Sequence, residues 1–237
     1  MKIQLVSDLH MEFAPIEITN AGADVLVLSG DIVVADYFKR SEQSPYYQDA
    51  QDWLNWFERT CARFPRVIYV LGNHEHYSGR FDDTFVTLKN NLRWIPNLTI
   101  LDNTSIDLDG VHFFGTTLWT DFNRDMMGAK LAVQSGLNDY HFIKRNQGGS
   151  YRKLRPNDTL FYNYEAVRLI DEAAAKHDRM VVVGHHAPSM RSIAERFRGA
   201  GLINYGYASD LDRYIDAHPS IKLWTHGHVH LARLHDR

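Results

Sequence analysis

Short apolar, β-branched runs that stop abruptly in polar clusters restrict the folding of this chain more than any other feature. "KIQLVS" (2–7) runs into Asp8-Leu9-His10, "DVLVLS" (24–29) into Gly30-Asp31, and "RVIYVL" (66–71) into Gly72-Asn73-His74-Glu75. Near the C-terminus "RMVVVG" (179–184) runs into His185-His186, and "IKLWTH" (221–226) into Gly227-His228-Val229-His230. Such runs read as strands, several of them buried on both faces. Two more, "LTILD" (98–102) and "GVHFFGTTLW" (110–119), complete the set.

Helical patterns lie between them, at 48–64, 82–95, 158–177 and 209–218, the last opening with Ser209-x-x-Asp212 as an N-cap signature. Strands alternating with helices predict an α/β fold with largely parallel pairing, and the dense strand run from 98 to 119 predicts a second, more mixed sheet. The 237 residues suit one domain over 1–237. Stretches 32–48 and 120–157 read as longer irregular segments, a common place for functional rims.

In open α/β sheets the carboxyl ends of the strands converge on one crevice, where ligands bind. Five strand ends would therefore deliver carboxylates, an amide and imidazoles to one place. A single Asp or His after a strand is usually a turn residue or a helix cap, but five together point to a metal site. Gly30, Gly72, Gly184 and Gly227 each precede a candidate ligand, where a missing Cβ permits close backbone approach. "THGHVH" (225–230), three histidines at alternate positions, reads by spacing alone as a metal site, a pH-sensitive patch or an accident.

Composition narrows the rest. The charged fraction is 23% and the net charge −3, so nothing draws the chain as a whole to nucleic acid or an acidic membrane. No apolar stretch approaches a membrane span. The start "MKIQLVSDLH" reaches Ser7 and Asp8 too early for a secretory leader, which predicts a cytoplasmic protein. The single cysteine, Cys61, falls on an amphipathic helical pattern and reads as a buried, inert thiol.

The blocks "DLH", "GD", "GNHE", "GHH" and "GHVH", in that order from residue 8 to 230, resemble the signature of the calcineurin-like metallophosphoesterases. The resemblance implies a four-layer α/β/β/α sandwich of two mixed β-sheets flanked by helices, with a dinuclear metal centre at the strand C-terminal ends. By motif, Asp8, His10 and His230 would hold one ion and Asn73, His185 and His228 the other, with Asp31 bridging. Mn is the first expectation for the two divalent ions, with Fe, Zn, Ni and Co as alternatives, since oxygen and imidazole donors suit all of them. His74 would face the leaving-group oxygen as general acid.

The implied activity is hydrolysis of a phosphoester by metal-bound hydroxide. The substrate would be a phosphodiester or phosphomonoester, with a nucleotide among the small-molecule candidates and nucleic acid left open. A non-catalytic interaction module on the same fold is the alternative, disfavoured by the survival of His74 and of every expected ligand. His186 and Arg191 are candidate substrate contacts, with a supporting role behind the ligands the alternative for His186. His226 is expected to support the strand end. His76, His112, His141, His177, His218 and His235 are assigned to surface or core. The basic stretch "KRNQGGSYRKLR" (144–155) reads as a solvated loop or a phosphate guide. Similar bacterial proteins continue past the last block with further strands, whereas "LARLHDR" follows here, leaving the last sheet edge open to natural brevity or truncation.

Overall fold

A computed structural model describes residues 1–230. Its first sheet has the order β1 (Ile3–Val6), β2 (Val25–Ser29), β3 (Arg66–Val70), β4 (Leu98–Leu101), with every pair parallel. The second sheet contains β5 (Thr104–Leu108), β6 (Val111–Gly115), β9 (Met180–Val183) and β10 (Ile221–Thr225), in the order β10-β9-β6-β5. Only its β5–β6 pair is antiparallel. Mixed pairing, expected of both sheets, is thus confined to the second, because the tight Asp109-Gly110 turn between β5 and β6 is a hairpin that reverses the chain.

Alternation along the strands builds the four layers. In β2 all five residues are buried, because the two faces of the strand pack against different partners. Val25 and Val27 meet Ile68, Val70, Phe113, Val181 and Val183 between the two sheets. Leu26 and Leu28 point the other way, into Trp53, Trp56, Phe57 and Cys61 of α1 (Tyr47–Cys61) and Leu88 and Leu92 of α2 (Thr84–Leu92). The outer face of the second sheet, Phe114, Met180, Val182 and Ile221, is covered by Ile170 of α4 (Pro156–Ala174) and Tyr214 of α5 (Asp212–Ala217). Trp56 and Phe57 are almost wholly buried, so truncating either to Ala is expected to cost about 3–5 kcal/mol.

The stretch 120–157 is more regular than its sequence suggests. "MGAKLAVQSG" forms α3 (Met127–Gly136), whose Ala129 and Val133 pack with Phe122, Leu137 and Ile143 in a satellite core. The basic stretch is a hairpin, β7 (Lys144–Gln147) with β8 (Ser150–Lys153), turning at Gly148 and Gly149, both at positive φ. Two of its cations are taken up locally: Arg152 binds both Asp158 oxygens, and Arg145 lies over the rings of Phe81 and Tyr162. Ser209 does not cap α5. Its hydroxyl accepts from the Asp121 backbone N–H, and the helix begins beyond it at Asp212. Among the described residues no helix is long and apolar enough to cross a membrane.

Candidate metal centre

Because β1, β2, β3, β9 and β10 run in parallel within their sheets, their carboxyl ends emerge together. The connecting segments are laced by backbone hydrogen bonds, from Asp8 N to Gly30 O, His10 N to Asp31 O and Gly227 N to His185 O, at 2.9–3.0 Å. Asp8, His10, Asp31, His228 and His230 all stand at positive φ, between 46° and 66°. Non-glycine residues in this region are uncommon and cluster at functional sites, and here they turn the side chains off the strand ends toward one another.

Close approach requires glycine at two positions around the centre. A Cβ on Gly227 would sit 2.5 Å from Asp8 Oδ2, and one on Gly72 would collide with the Asp31 carboxylate.

The convergent donors form two groups joined at Asp31. In the first, His230 Nε2 is 3.3 Å from Asp8 Oδ1 and 3.4 Å from His10 Nε2. In the second, His185 Nε2 lies 3.3 Å from Asp31 Oδ2 and 3.0 Å from Asn73 Oδ1, with the His228 ring beside it at 5.0 Å between centroids. Asp31 Oδ2 is also 3.9 Å from His10 Nε2, so one carboxylate faces both groups. Asp8, His10 and His230 could hold one cation, and Asp31, His185 and His228 another.

Each donor is held from behind. His185 Nδ1 is 2.7 Å from the Ser29 carbonyl, which directs Nε2 into the centre. The Asn73 amide donates to Asp139 Oδ1 at 2.8 Å, which leaves its carbonyl oxygen turned to His185. Asp8 accepts from the His228 backbone N–H. Glu75, fully buried, accepts from the N–H groups of Asp31, Ile32 and Gly72 and from the Tyr69 hydroxyl, tying the ends of β2 and β3 together.

The charges fit cations. Burial opposes ionisation of Asp8, yet the His230 hydrogen bond and the His185 charge hold it well below the usual carboxylate range. Burial likewise disfavours a charged His185, but the adjacent Asp31 carboxylate pushes it up to about 10. That proton would have to leave for the ring to ligate an ion. Burial, reinforced by His186 and His185, keeps His228 neutral, and its Nε2 is a buried atom with no hydrogen-bond partner. An orphaned buried imidazole nitrogen costs stability, and a cation beside the Asp31 carboxylate would satisfy it. Imidazole, carboxylate and amide oxygen, with no thiolate, suit divalent Mn, Fe, Zn, Ni or Co.

His74 stands at the rim of this centre. Its backbone N–H donates to Asp31 Oδ1 at 2.8 Å, its Nδ1 is 2.7 Å from Glu12 Oε1, and its ring stacks on Tyr77 at 4.2 Å. Burial disfavours its charged form, but the Glu12 hydrogen bond and the Asp31 charge raise its pKa above the ordinary imidazole value.

A model of the calcineurin-like phosphoesterases matches residues 1–232. The chain belongs to that family. It is therefore a metal-dependent hydrolase of phosphoric esters, of a family typically built around two metal ions. This phosphoesterase is 26% identical over 249 residues to "Uncharacterized protein L509" of Acanthamoeba polyphaga mimivirus, an alignment covering 96% of this chain and 84% of the viral one. Its fold is similar to the crystal structure of phosphopantetheinyl hydrolase from Mycobacterium tuberculosis, at a TM-score of 0.62 and 15% identity, covering 98% of this chain and 84% of that one.

The remaining candidate residues of the phosphoesterase divide by position. His186, a candidate substrate contact, is 1% exposed and wedged between Trp119 and His228, with Nδ1 3.2 Å from the Thr117 carbonyl. It backs His228 instead of lining the rim, because adjacent strand-end residues point to opposite sides. Arg191 is exposed on the Met190–Ser192 turn with Nε 3.6 Å from Asp212 Oδ1 at the start of α5. His226 Nε2 meets Ser192 Oγ at 3.0 Å, in keeping with support of the strand end. His235 lies outside the described residues.

Sequence reasoning passed over Glu12, Asp139 and Tyr77 and left Glu75 without a partner. Glu12, two residues beyond His10, carried a weak local signal. Asp139 lies in "GLNDYHF" of the satellite region and carried none.

Proposed function

We propose that the whole chain acts as one phosphoesterase domain hydrolysing a small-molecule phosphodiester or phosphomonoester, a nucleotide among them. Asp8, His10 and His230 would hold one divalent ion, Asn73, His185 and His228 the second, with Asp31 shared between them and Mn the first choice of metal. The observation that carries this reading is the position of Asp31, whose Oδ2 faces His10 on one side and His185 on the other. When bound, the ion pair supplies Lewis-acid charge stabilisation for the phosphoryl oxygens and a nucleophile active near neutral pH.

The protein's own groups do the rest. His74 Nδ1 is engaged by Glu12, which leaves Nε2 as the nitrogen that donates a proton to the departing oxygen. Glu12 stabilises the imidazolium before transfer, and the stack on Tyr77 fixes the ring plane. Tyr77 is itself fixed by its hydroxyl, which donates to Asp139 at 2.7 Å, so Asp139 orients both the proton donor and Asn73.

The test is metal analysis combined with a screen of bis-p-nitrophenyl phosphate and p-nitrophenyl phosphate across Mn, Fe, Ni, Co and Zn. Turnover of at least one ester is expected, with two equivalents that are lost on substitution of Asp31. Absence of turnover of both esters with every metal would overturn the reading.

A further inference from the structure

At the opposite end of the second sheet three more donors converge, and nothing in the phosphoesterase chemistry uses them. Asp107 on β5 and His112 on β6 are directly paired cross-strand neighbours, so their side chains share a face. His112 has the same parity as Phe114, which packs on the helix-covered outer face, whereas Phe113 between them faces the other sheet. The third donor, His177, follows α4, the helix lying over that outer face, and its backbone N–H closes the helix end on Ala173 O at 3.1 Å. Three separate elements therefore meet there.

The catalytic donors follow the carboxyl end of β9. His112 pairs with Met180 at the start of that strand, so the strand's length separates the two places.

The three donors lie within reach of a single ion. His112 Nδ1 is 2.8 Å from Asp107 Oδ1, and the His112 and His177 rings lie parallel, 3.7 Å apart with 15° between their planes. One donor atom from each of the three residues lies within 4.8 Å of the others. Ligand atoms about 2.0–2.1 Å from a cation at tetrahedral or right angles are separated by about 2.8–3.4 Å, which the Asp107–His112 pair already meets. The stacked rings send their in-plane lone pairs side by side, so the His177 ring, half-buried at the surface, must turn out of the stack to bring its nitrogen onto the same ion.

The end of a 19-residue helix adds a favourable field, since its free carbonyls carry partial negative charge that attracts a cation. His112 is 7% exposed whereas the Asp107 side chain is 68% exposed. The cluster thus has a buried imidazole on one side and an open side for solvent ligands.

We propose that Asp107, His112 and His177 form a peripheral divalent-metal site, separate from the catalytic centre. Two imidazoles and a carboxylate select borderline transition ions, Zn²⁺ first, with water filling the remaining position. A bound ion would clip β5, at one edge of the second sheet, to the end of α4 and stabilise the native state by mass action.

The test uses the full-length chain, stripped with chelator and reloaded with Zn²⁺, with metal content measured by mass spectrometry. The wild type is expected to retain one equivalent more than His177→Ala, at equal phosphodiester turnover. That additional equivalent is expected to persist in Asp31→Asn, where the catalytic ions are lost. Loading with Co²⁺ should give a visible absorption component that disappears in His177→Ala and weakens in Asp107→Asn, an exposed position whose substitution leaves the fold intact. Equal Zn²⁺ content and identical Co²⁺ spectra in wild type, His177→Ala and Asp107→Asn would overturn the site and leave the histidine pair as a structural stack. Should His177→Ala fail to fold, the comparison of wild type with Asp107→Asn decides on the same criterion.

Discussion

The two halves of the proposed catalytic centre are built differently, although the same strand ends produce them. Asp31, His185 and His228 are all buried, whereas Asp8 and His10 are half-buried and the His230 side chain is 61% exposed. The buried half has its imidazoles locked: His185 by Ser29, and His228 between the rings of Tyr207 and His186. The open half leans on His74 and Glu12 at the rim. A desolvated, pre-oriented half strengthens electrostatic interactions, and an open half lets solvent and ester exchange. The centre therefore reads as a rigid anchor with a working face.

Asp31 belongs to both halves, so its substitution is the most severe way to break the comparison. Asp31→Asn is expected to lose both ions together and lower kcat/KM by roughly 10⁴-fold, about 5 kcal/mol of transition-state stabilisation. Metal analysis beside steady-state kinetics checks it. Retention of two equivalents with normal turnover would remove Asp31 from the bridge. His74→Ala is expected to keep both ions and lower kcat by about 10³-fold, because proton donation is lost while every donor atom stays in place. Loss of metal equal to that in Asp31→Asn would erase the distinction between ligand and acid.

The halves themselves separate by substitution of their histidines. His228→Ala opens a hole in packed protein, whereas His230→Ala opens one at the surface. The first should lower metal affinity by about 100-fold and resist rescue by added imidazole. The second should lower it by about 10-fold and recover with imidazole, which can reach an open position. Titration of metal-stripped protein, with and without imidazole, provides the comparison. Equal rescue of both variants would mean that the halves do not differ in access.

How much of this was legible in sequence follows from where each residue's partners lie. Asp8, His10, Asp31, Asn73, His185, His228 and His230 announce themselves because each follows an apolar run, and parallel pairing brings those run ends together without any knowledge of side-chain packing. The four layers were legible for the same reason, since a strand such as β2 with no polar position must be covered on both faces. Asp139 was not, because its link to Asn73 spans 66 positions and depends on how the segment after α3 folds back. Ser209 misled because a cap signature reads only local chain, and a buried backbone N–H from Asp121 competed for the hydroxyl. His186 was left between a substrate contact and a supporting role because chain adjacency to a ligand says nothing about which side of the strand end is open.

The smallest effect tests what the rim carboxylate contributes. Glu12 Oε1 lies 2.7 Å from His74 Nδ1 and 3.4 Å from His10 Nδ1, so its charge is shared between the proposed proton donor and one donor of the open half. Burial opposes its ionisation, yet the hydrogen bonds to His10 and His74 hold its pKa down at about 2, so it is a carboxylate at any working pH. His74 is raised by that contact, which keeps it protonated, and able to donate, to a higher pH than a free imidazole. On the basic side, activity should accordingly fall as pH rises through that raised value. Glu12→Gln removes the charge but keeps a hydrogen-bonding side chain, so the basic limb of the kcat profile should move toward lower pH. At the former optimum the loss should be about 10-fold or less, because the ring remains held by Tyr77. A profile that drops uniformly without shifting would mean that Glu12 serves only His10, and metal affinity in the same variant would show it.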